Sequence, residues 1–290
     1  MQVRRRIFFQ SSLLHIGAFE VRPTTDACGE VEEQERHAIA LPIAGLFAKH
    51  DGPKHHVVGT PSHAVFFRRH TPYRLSFPGM VGDRALMLRF DEDMLSSVFD
   101  ARRGHRWTAS HGLLPPKVLL LRNWLWKSAS SGAIDQLEAE AASLEILARS
   151  LEIMVDLDRS EIHEARRKRA VDRVKEAVSS APAEKWDVAA LARIGQMSPF
   201  HFCHVFKHIT GMSVGNYILR ERLAGALYPI LEGEDLTAIA LESGFASHSH
   251  FTARFRKVFG CAPSDFRRSF TTRRFAELRK IVTAHAARPA

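Results

Sequence analysis

Residues 191–217 and 240–266 align with each other without a gap, at a displacement of 49 residues. Gly195, Ser198, His201, Phe202, Phe206 and Gly211 recur as Gly244, Ser247, His250, Phe251, Phe255 and Gly260. Lys207 and Tyr217 recur as Arg256 and Phe266. A repeat that conserves glycines, serines and spaced aromatics is a duplicated supersecondary unit, and few folds accommodate one. Each copy reads as a helix, a turn and a second helix. In the first, Asp187 caps a helix carrying Val188, Leu191 and Ile194, and Gly195 supplies the left-handed residue that ends it. Ser198 then caps a helix that opens on Pro199 and buries Phe202, Val205, Phe206 and Ile209. In the second, Leu236, Ile239 and Ala240 precede Gly244. Ser247 then caps a helix burying Phe251, Phe255 and Val258, and Gly260 stops it. The stretch Ser213–Leu231 between the units reads as one helix of 19 residues, ~28 Å long at 1.5 Å per residue.

Charge divides the chain at the same place. Of 41 Lys and Arg and 32 Asp and Glu, residues 166–290 hold 21 and 11, so the whole excess of positive charge lies there. A basic module joined to a neutral one points to a polyanion partner for one half and a different task for the other. The polar, acidic stretch 156–164 reads as the linker. At 290 residues, two domains are expected. Cys28, Cys203 and Cys261 show no CxxC spacing, which fits a reducing compartment and argues against cysteine zinc sites. No apolar run approaches the ~20 residues of a membrane helix, and Ile7-Phe8-Phe9 is too short for a signal-peptide core.

The C-terminal part resembles the DNA-binding domain of the AraC/XylS family of bacterial transcription regulators. The residues that carry the resemblance are Gly244-Phe245-Ala246-Ser247-His248-Ser249-His250-Phe251 and Phe255-Arg256-Lys257-Val258-Phe259-Gly260-Cys261-Ala262-Pro263-Ser264-Asp265-Phe266-Arg267. The first copy adds Met197-Ser198-Pro199, Phe206-Lys207, Thr210-Gly211 and then Arg220, Arg222 and Leu223. The resemblance covers roughly residues 170–270 and implies double-stranded DNA as partner. The helix periodicity places Phe200, His201, Cys203, His204 and Lys207 on the outward face of the first recognition helix. It places His248, Ser249, Thr252 and Ala253 on that of the second, with Arg256 and Lys257 further along. Phe200 suits a thymine methyl, His204 a base acceptor and Lys207 a phosphate. Ser198 and Ser247 suit phosphates at helix N-termini. His204 and Ala253 stand where family members often carry arginine, so guanine readout is not expected of them. A 28 Å rod is short for successive major grooves about 34 Å apart, so either the helices splay or the DNA bends.

Short apolar segments separated by Gly and Pro over 39–90 predict a β-sandwich or barrel, with helices over 115–157. Ile43-Ala44-Gly45-Leu46-Phe47, Ala64-Val65-Phe66-Phe67, Pro72-Tyr73-Arg74 and the segment Pro78 to Asp83 resemble the cupin-like ligand-binding domain of many AraC-type regulators. The expected organisation is therefore a cupin-like ligand-binding and dimerisation domain over 1–165, an all-α DNA-binding domain with two helix-turn-helix units over 166–272, and a basic tail over 273–290. Phe47, Phe66, Tyr73 and Arg74 are the candidates to line a ligand site. His37, His50, His55, His56, His63 and His70 lack the HxH pattern of metal cupins, so neither metal nor cofactor is expected. Leu137, Leu144 and Leu151 recur every seven residues beside Leu147 and Met154, an apolar stripe that suits pairing with a second copy. The resemblance implies a cytoplasmic activator working as a homodimer under a small-molecule effector, with RNA polymerase as a further partner. The alternative is a cupin-type enzyme or a DNA-repair alkyl acceptor with an accessory DNA-binding domain. No cysteine here sits in an activating motif, and no Gly-rich phosphate loop, HExxH or GxSxG occurs.

Overall fold

The computed structural model describes residues 1–52, 56–91, 95, 110–154 and 162–269. The strands begin far earlier than the sequence predicts. β1 (Gln2–Gln10) and β2 (Leu14–Arg22) precede β3 (His37–Gly45), β4 (Phe47–His50), β5 (His56–Gly59), β6 (His63–Phe67), β7 (Arg74–Ser76), β8 (Asp83–Phe90) and β9 (His111–Leu113). The prediction started at 39 because β1 is an edge strand with seven of its nine residues exposed, so arginines replace the apolar alternation that marks a strand. Helices α1 (Pro116–Ser130), α2 (Gln136–Met154), α3 (Ile162–Ser180), α4 (Val188–Gly195), α5 (Pro199–Thr210), α6 (Val214–Glu232), α7 (Leu236–Glu242), α8 (His248–Phe259) and α9 (Pro263–Ser269) follow. The end of the stretch read as a linker is thus the first turn of α3. The tail 273–290 lies outside the described residues.

The strands form a six-stranded sheet, ordered β1-β2-β8-β3-β6-β9, and a three-stranded sheet, ordered β5-β4-β7. Every pairing within them is antiparallel. Side chains alternate across a strand, and here both faces of the larger sheet are covered. Ala38, Ala40, Val65, Phe67 and Met87 meet the smaller sheet. Ile39, Leu41, Phe66, Leu86 and Leu88 meet the helices. This double burial explains why β3 reads as an unbroken apolar run.

The outer core does not stop at α1 and α2. It continues through Leu223, Leu227 and Ile230 of α6 to Phe251, Phe255 and Phe259 of α8, so the second helix-turn-helix unit shares a core with the sheet. The first unit has a separate core, built from Val171, Val174 and Val178 of α3 with Leu191, Phe202, Phe206 and Tyr217. Polar contacts pin the seam. Glu221, buried on α6, accepts hydrogen bonds from Thr60 Oγ1 at 2.9 Å, from Ser179 Oγ at 3.2 Å and from the Ser62 hydroxyl. Thr60 Oγ1 also lies 2.7 Å from Nδ1 of His63. Because the Thr60 hydroxyl donates to Glu221, Nδ1 of His63 carries the proton in this arrangement. Arg122 of α1 is buried in the same region and donates to the Pro42 carbonyl at 2.6 Å.

A second polar contact joins α3 to β5. His56 Nε2 lies 3.9 Å from Asp172 and 4.0 Å from Glu176, and Lys175 pairs with Asp172 at 3.1 Å. Burial, then the Asp172 carboxylate, pushes Glu176 up to about 7 from its usual 4.5. A carboxyl with a raised pKa binds its proton more tightly in the folded state. Its contribution is fully present at low pH and is lost as pH rises through about 7. Gln keeps the shape and cannot ionise, so Glu176→Gln is expected to raise Tm at pH 8 and leave it unchanged near pH 4. Thermal unfolding of both chains across that range checks the sign.

Candidate nucleic-acid interface and cavity

Each recognition helix is fixed at its start by a serine. Ser198 Oγ accepts from the His201 amide at 3.4 Å, and Ser247 Oγ accepts from the His250 amide at 3.1 Å. The hydroxyl hydrogen of each remains available to donate to a phosphate oxygen. Both helices end on left-handed glycines, Gly211 and Gly260. The turns before them differ between the copies. Gly244 adopts φ +78, and a Cβ there would lie 2.8 Å from the backbone of Ala183, so glycine is required. In the first copy Gly195 is still helical, and Gln196 takes the left-handed conformation at φ 55. The glycine therefore does not end that helix. It sits buried at its last residue, close to the Phe202 ring. Arg222 of α6 fastens the second turn by donating to the carbonyls of Pro182, Glu184 and Gly244 at 2.7, 2.9 and 2.8 Å.

On α5 the outward residues Phe200, His201, Cys203, His204 and Lys207 are all exposed, and Phe200 shows 78% of its surface. An apolar ring that exposed on a rigid helix is available to a partner. The Phe200 and His204 rings lie 4.5 Å apart, one helical turn from each other. On α8, Ser249, Ala253, Arg256 and Lys257 are exposed, while His248 and Thr252 are half-buried. His250 and Arg254 add exposed groups to that helix, with Arg254 Nε 3.3 Å from His250 Nε2. Neither was among the sequence candidates, because the 100° step from Ala253 turns Arg254 away from the face chosen there.

The candidate ligand residues part ways. Phe47 and Tyr73 line a cavity of about 290 Å³ between the two sheets. Phe66 points to the opposite face, into the outer core, and Arg74 is exposed on β7, reaching the Gly29 carbonyl. Arg5, His15, Asp83, Met87 and Arg89 line the cavity and were not candidates: Arg5 and His15 lie on β1 and β2, which the sequence reading lacks, and on β8 the sequence does not show which face is covered. Among the described residues no cluster of His, Cys, Asp or Glu is arranged to hold a metal ion. His63 is buried, and His50 Nε2 lies 2.8 Å from Ser76 Oγ. Of the α2 stripe, Leu147 and Leu151 are buried in this chain's own core, Leu144 is half-buried, and Leu137 is 76% exposed. The Met154 side chain lies outside the described residues. The apolar surface left over for a second copy is therefore narrower than the heptad spacing implied.

The fold defines a double helix-turn-helix protein carried on a two-sheet sandwich. A family described as "Helix-turn-helix domain" matches residues 191–269. The virulence regulon transcriptional activator VirF of Yersinia enterocolitica is 31% identical over 100 residues, covering 34% of this chain and 37% of that protein. The probable transcription factor PqrA of Proteus vulgaris is 32% identical over 85 residues, covering 29% of this chain and 70% of PqrA. The bifunctional transcriptional activator/DNA repair enzyme AdaA of Bacillus subtilis is 33% identical over 98 residues, covering 33% of this chain and 46% of that protein. Against relatives such as VirF the match spans little more than a third of their length. The chain belongs to the AraC/XylS family of transcription regulators.

His204 is expected to read one base pair. In His204→Ala, affinity for the preferred site falls, while single-base variants at one position become equivalent, a loss of about 1–3 kcal/mol of discrimination. Binding titrations on a set of single-base site variants check this. A uniform loss across all variants marks His204 as a backbone contact instead.

Proposed function

We propose that this chain is a sequence-specific DNA-binding transcription regulator whose DNA-binding units are controlled by a small molecule held in the N-terminal sandwich. The observation that carries the reading is the pair of recognition helices, both serine-capped, with their outward faces exposed and bearing His204, Lys207, Arg256 and Lys257. Residues 166–272 supply DNA binding, and residues 1–165 supply sensing and pairing. A homodimer raises the effective concentration of the second DNA-binding domain on paired sites. Exposed Leu137 and half-buried Leu144 of α2 are the residues we assign to that contact. RNA polymerase is the further partner of an activator, and the cytoplasm is the compartment that fits three unpaired cysteines.

The repair-enzyme alternative needs a reactive thiolate. Cys261 is half-buried, and burial together with Asp265 pushes its thiol up to about 11, which disfavours the nucleophilic form. Cys203 stands exposed on the DNA-facing side of α5, where we assign it contact rather than chemistry.

The test is selection of DNA bound by the full chain from a random pool at physiological salt. Enrichment of two boxes about one helical turn apart, occurring as two copies, is the expected result. A pool that stays random, with binding that only weakens as salt rises, would make the basic domain a backbone binder and overturn the reading.

A further inference from the structure

The cavity between the sheets has chemically different ends. On β8 the side chains of Asp83, Met87 and Arg89 line it, and its walls are Phe19, Phe47, Phe67 and Leu75. Six residues of strand separate Asp83 from Arg89, about 20 Å along the backbone. At one end three guanidinium groups converge. Arg5 is paired with Glu32 at 3.1 Å, and Arg36 lies 3.8 Å from Asp91. Arg89 is half-buried and has no hydrogen bond or ion pair among the described residues. Burial and the nearby Arg5 both lower it, so an anion placed beside it would relieve both effects. His15 beside it is also lowered, by burial and by Arg36 and Arg89, and adds no competing anion. Glu33 and Glu35 also line the cavity but are exposed, where water screens them. At the other end Asp83 is buried, and neither carboxyl oxygen has a hydrogen-bond partner. Burial holds it well above the usual carboxylate range, against the opposing pull of the Arg84 backbone amide, and so favours the protonated form relative to a surface aspartate.

A buried polar group left without a partner is costly, and Asp83 is one; together with the half-buried, unpaired Arg89 in the same cavity it defines what a ligand would satisfy. We propose that the ligand of this cavity is an amphipathic organic acid. Its carboxylate pairs with Arg89, its aliphatic or aryl body lies against Phe47, Phe67, Leu75 and Met87, and a neutral hydroxyl at its far end meets Asp83. The inference rests on the effector reading above and names the class of effector.

The test uses the full chain with octanoate, 4-phenylbutanoate, their methyl esters, 8-hydroxyoctanoate and octylamine. Thermal shift and titration calorimetry give the binding, and operator affinity gives the response. The carboxylates are expected to raise Tm in a dose-dependent way, the esters and the amine to leave it unchanged, and the 8-hydroxy acid to bind more tightly than octanoate. Arg89→Gln should weaken the acids at least about tenfold, the loss of one charge-assisted hydrogen bond. Arg89→Lys should retain part of the affinity, and Arg74→Gln, the same charge change outside the cavity, should retain all of it. Asp83→Ala should remove only the advantage of the hydroxy acid. Equal binding of acids, esters and amine, no binding of the acids, or binding indifferent to Arg89→Gln would each overturn the assignment. Acid binding without any change in operator affinity would leave the ligand class standing and sink the effector reading. An operator response to some other class of molecule, without acid binding, would do the reverse.

Discussion

The continuous apolar core that runs from the outer face of the six-stranded sheet into α6 and α8 is the constraint on which the rest of this structure depends. Without it the two halves of the chain would be separate bodies on a linker. With it, the second recognition helix rests through α6 and α1 on the same strands that wall the cavity. The alternation of β-strand side chains makes this possible. Leu86, Leu88 and Phe90 face the helices, while Asp83, Met87 and Arg89 face the cavity. On the reading proposed above, a ligand that shifts β8 on one face would move the seat of α1 and α6 on the other. Such a ligand biases DNA binding only in so far as it binds the two arrangements with different affinity.

The two helix-turn-helix units are attached to the sandwich differently. The first has its own core with α3, and α3 meets β5 through His56, Asp172 and Glu176. The second is continuous with the sheet. α6 links them, and its N-terminal part carries both Tyr217, in the first core, and Glu221, at the seam. One continuous helix thus has residues in both cores, Tyr217 in the first and Leu223, Leu227 and Ile230 in the second. The spacing argument bears on the same point. Recognition helices on a rod of ~28 Å meet successive grooves about 34 Å apart only if they splay or if the DNA is bent. Bending a site by 40–90° costs of order 1–6 kcal/mol. If a ligand changed the splay, as proposed, the affinity change would fall in that same range.

The helical half was legible in the sequence because its signals are local. Ser198, Ser247, Gly211, Gly260 and the phenylalanine spacing each specify a cap, a stop or a buried face within a few residues. The failure at Gly195 is instructive. A glycine near a helix end predicts a left-handed residue, but close approach of Phe202 also requires a small side chain, and the helix instead ends on Gln196. The sandwich was legible only where strands are buried on both faces. β1 is arginine-rich and mostly exposed, and in β2 His15, Gly17 and Glu20 interrupt the apolar pattern, so their periodicity is masked, and with them went Arg5 and His15. Arg89 and Asp83 fell within or beside a segment read as a strand, yet nothing local distinguishes a charged residue facing a cavity from one facing water. That distinction is made by β4 and β7, which arrive from elsewhere in the chain to cover the inner face. Likewise the spacing of Leu137, Leu144 and Leu151 is blind to which side is already filled by the chain's own sheet.

The seam also explains why Glu221 is tolerated in a buried position. Removing a carboxylate from water costs several kcal/mol, and the Coulombic and hydrogen-bonding return from Thr60, Ser62 and Ser179 roughly offsets that cost rather than exceeding it. Burial accordingly holds the group above its usual pKa despite the donors around it. A contact whose formation is nearly neutral adds little to the strength of the seam. It adds register, because a half-satisfied carboxylate is far worse than either a fully bonded or a fully hydrated one. The apolar core supplies adhesion between the halves, and Glu221 restricts that adhesion to one alignment.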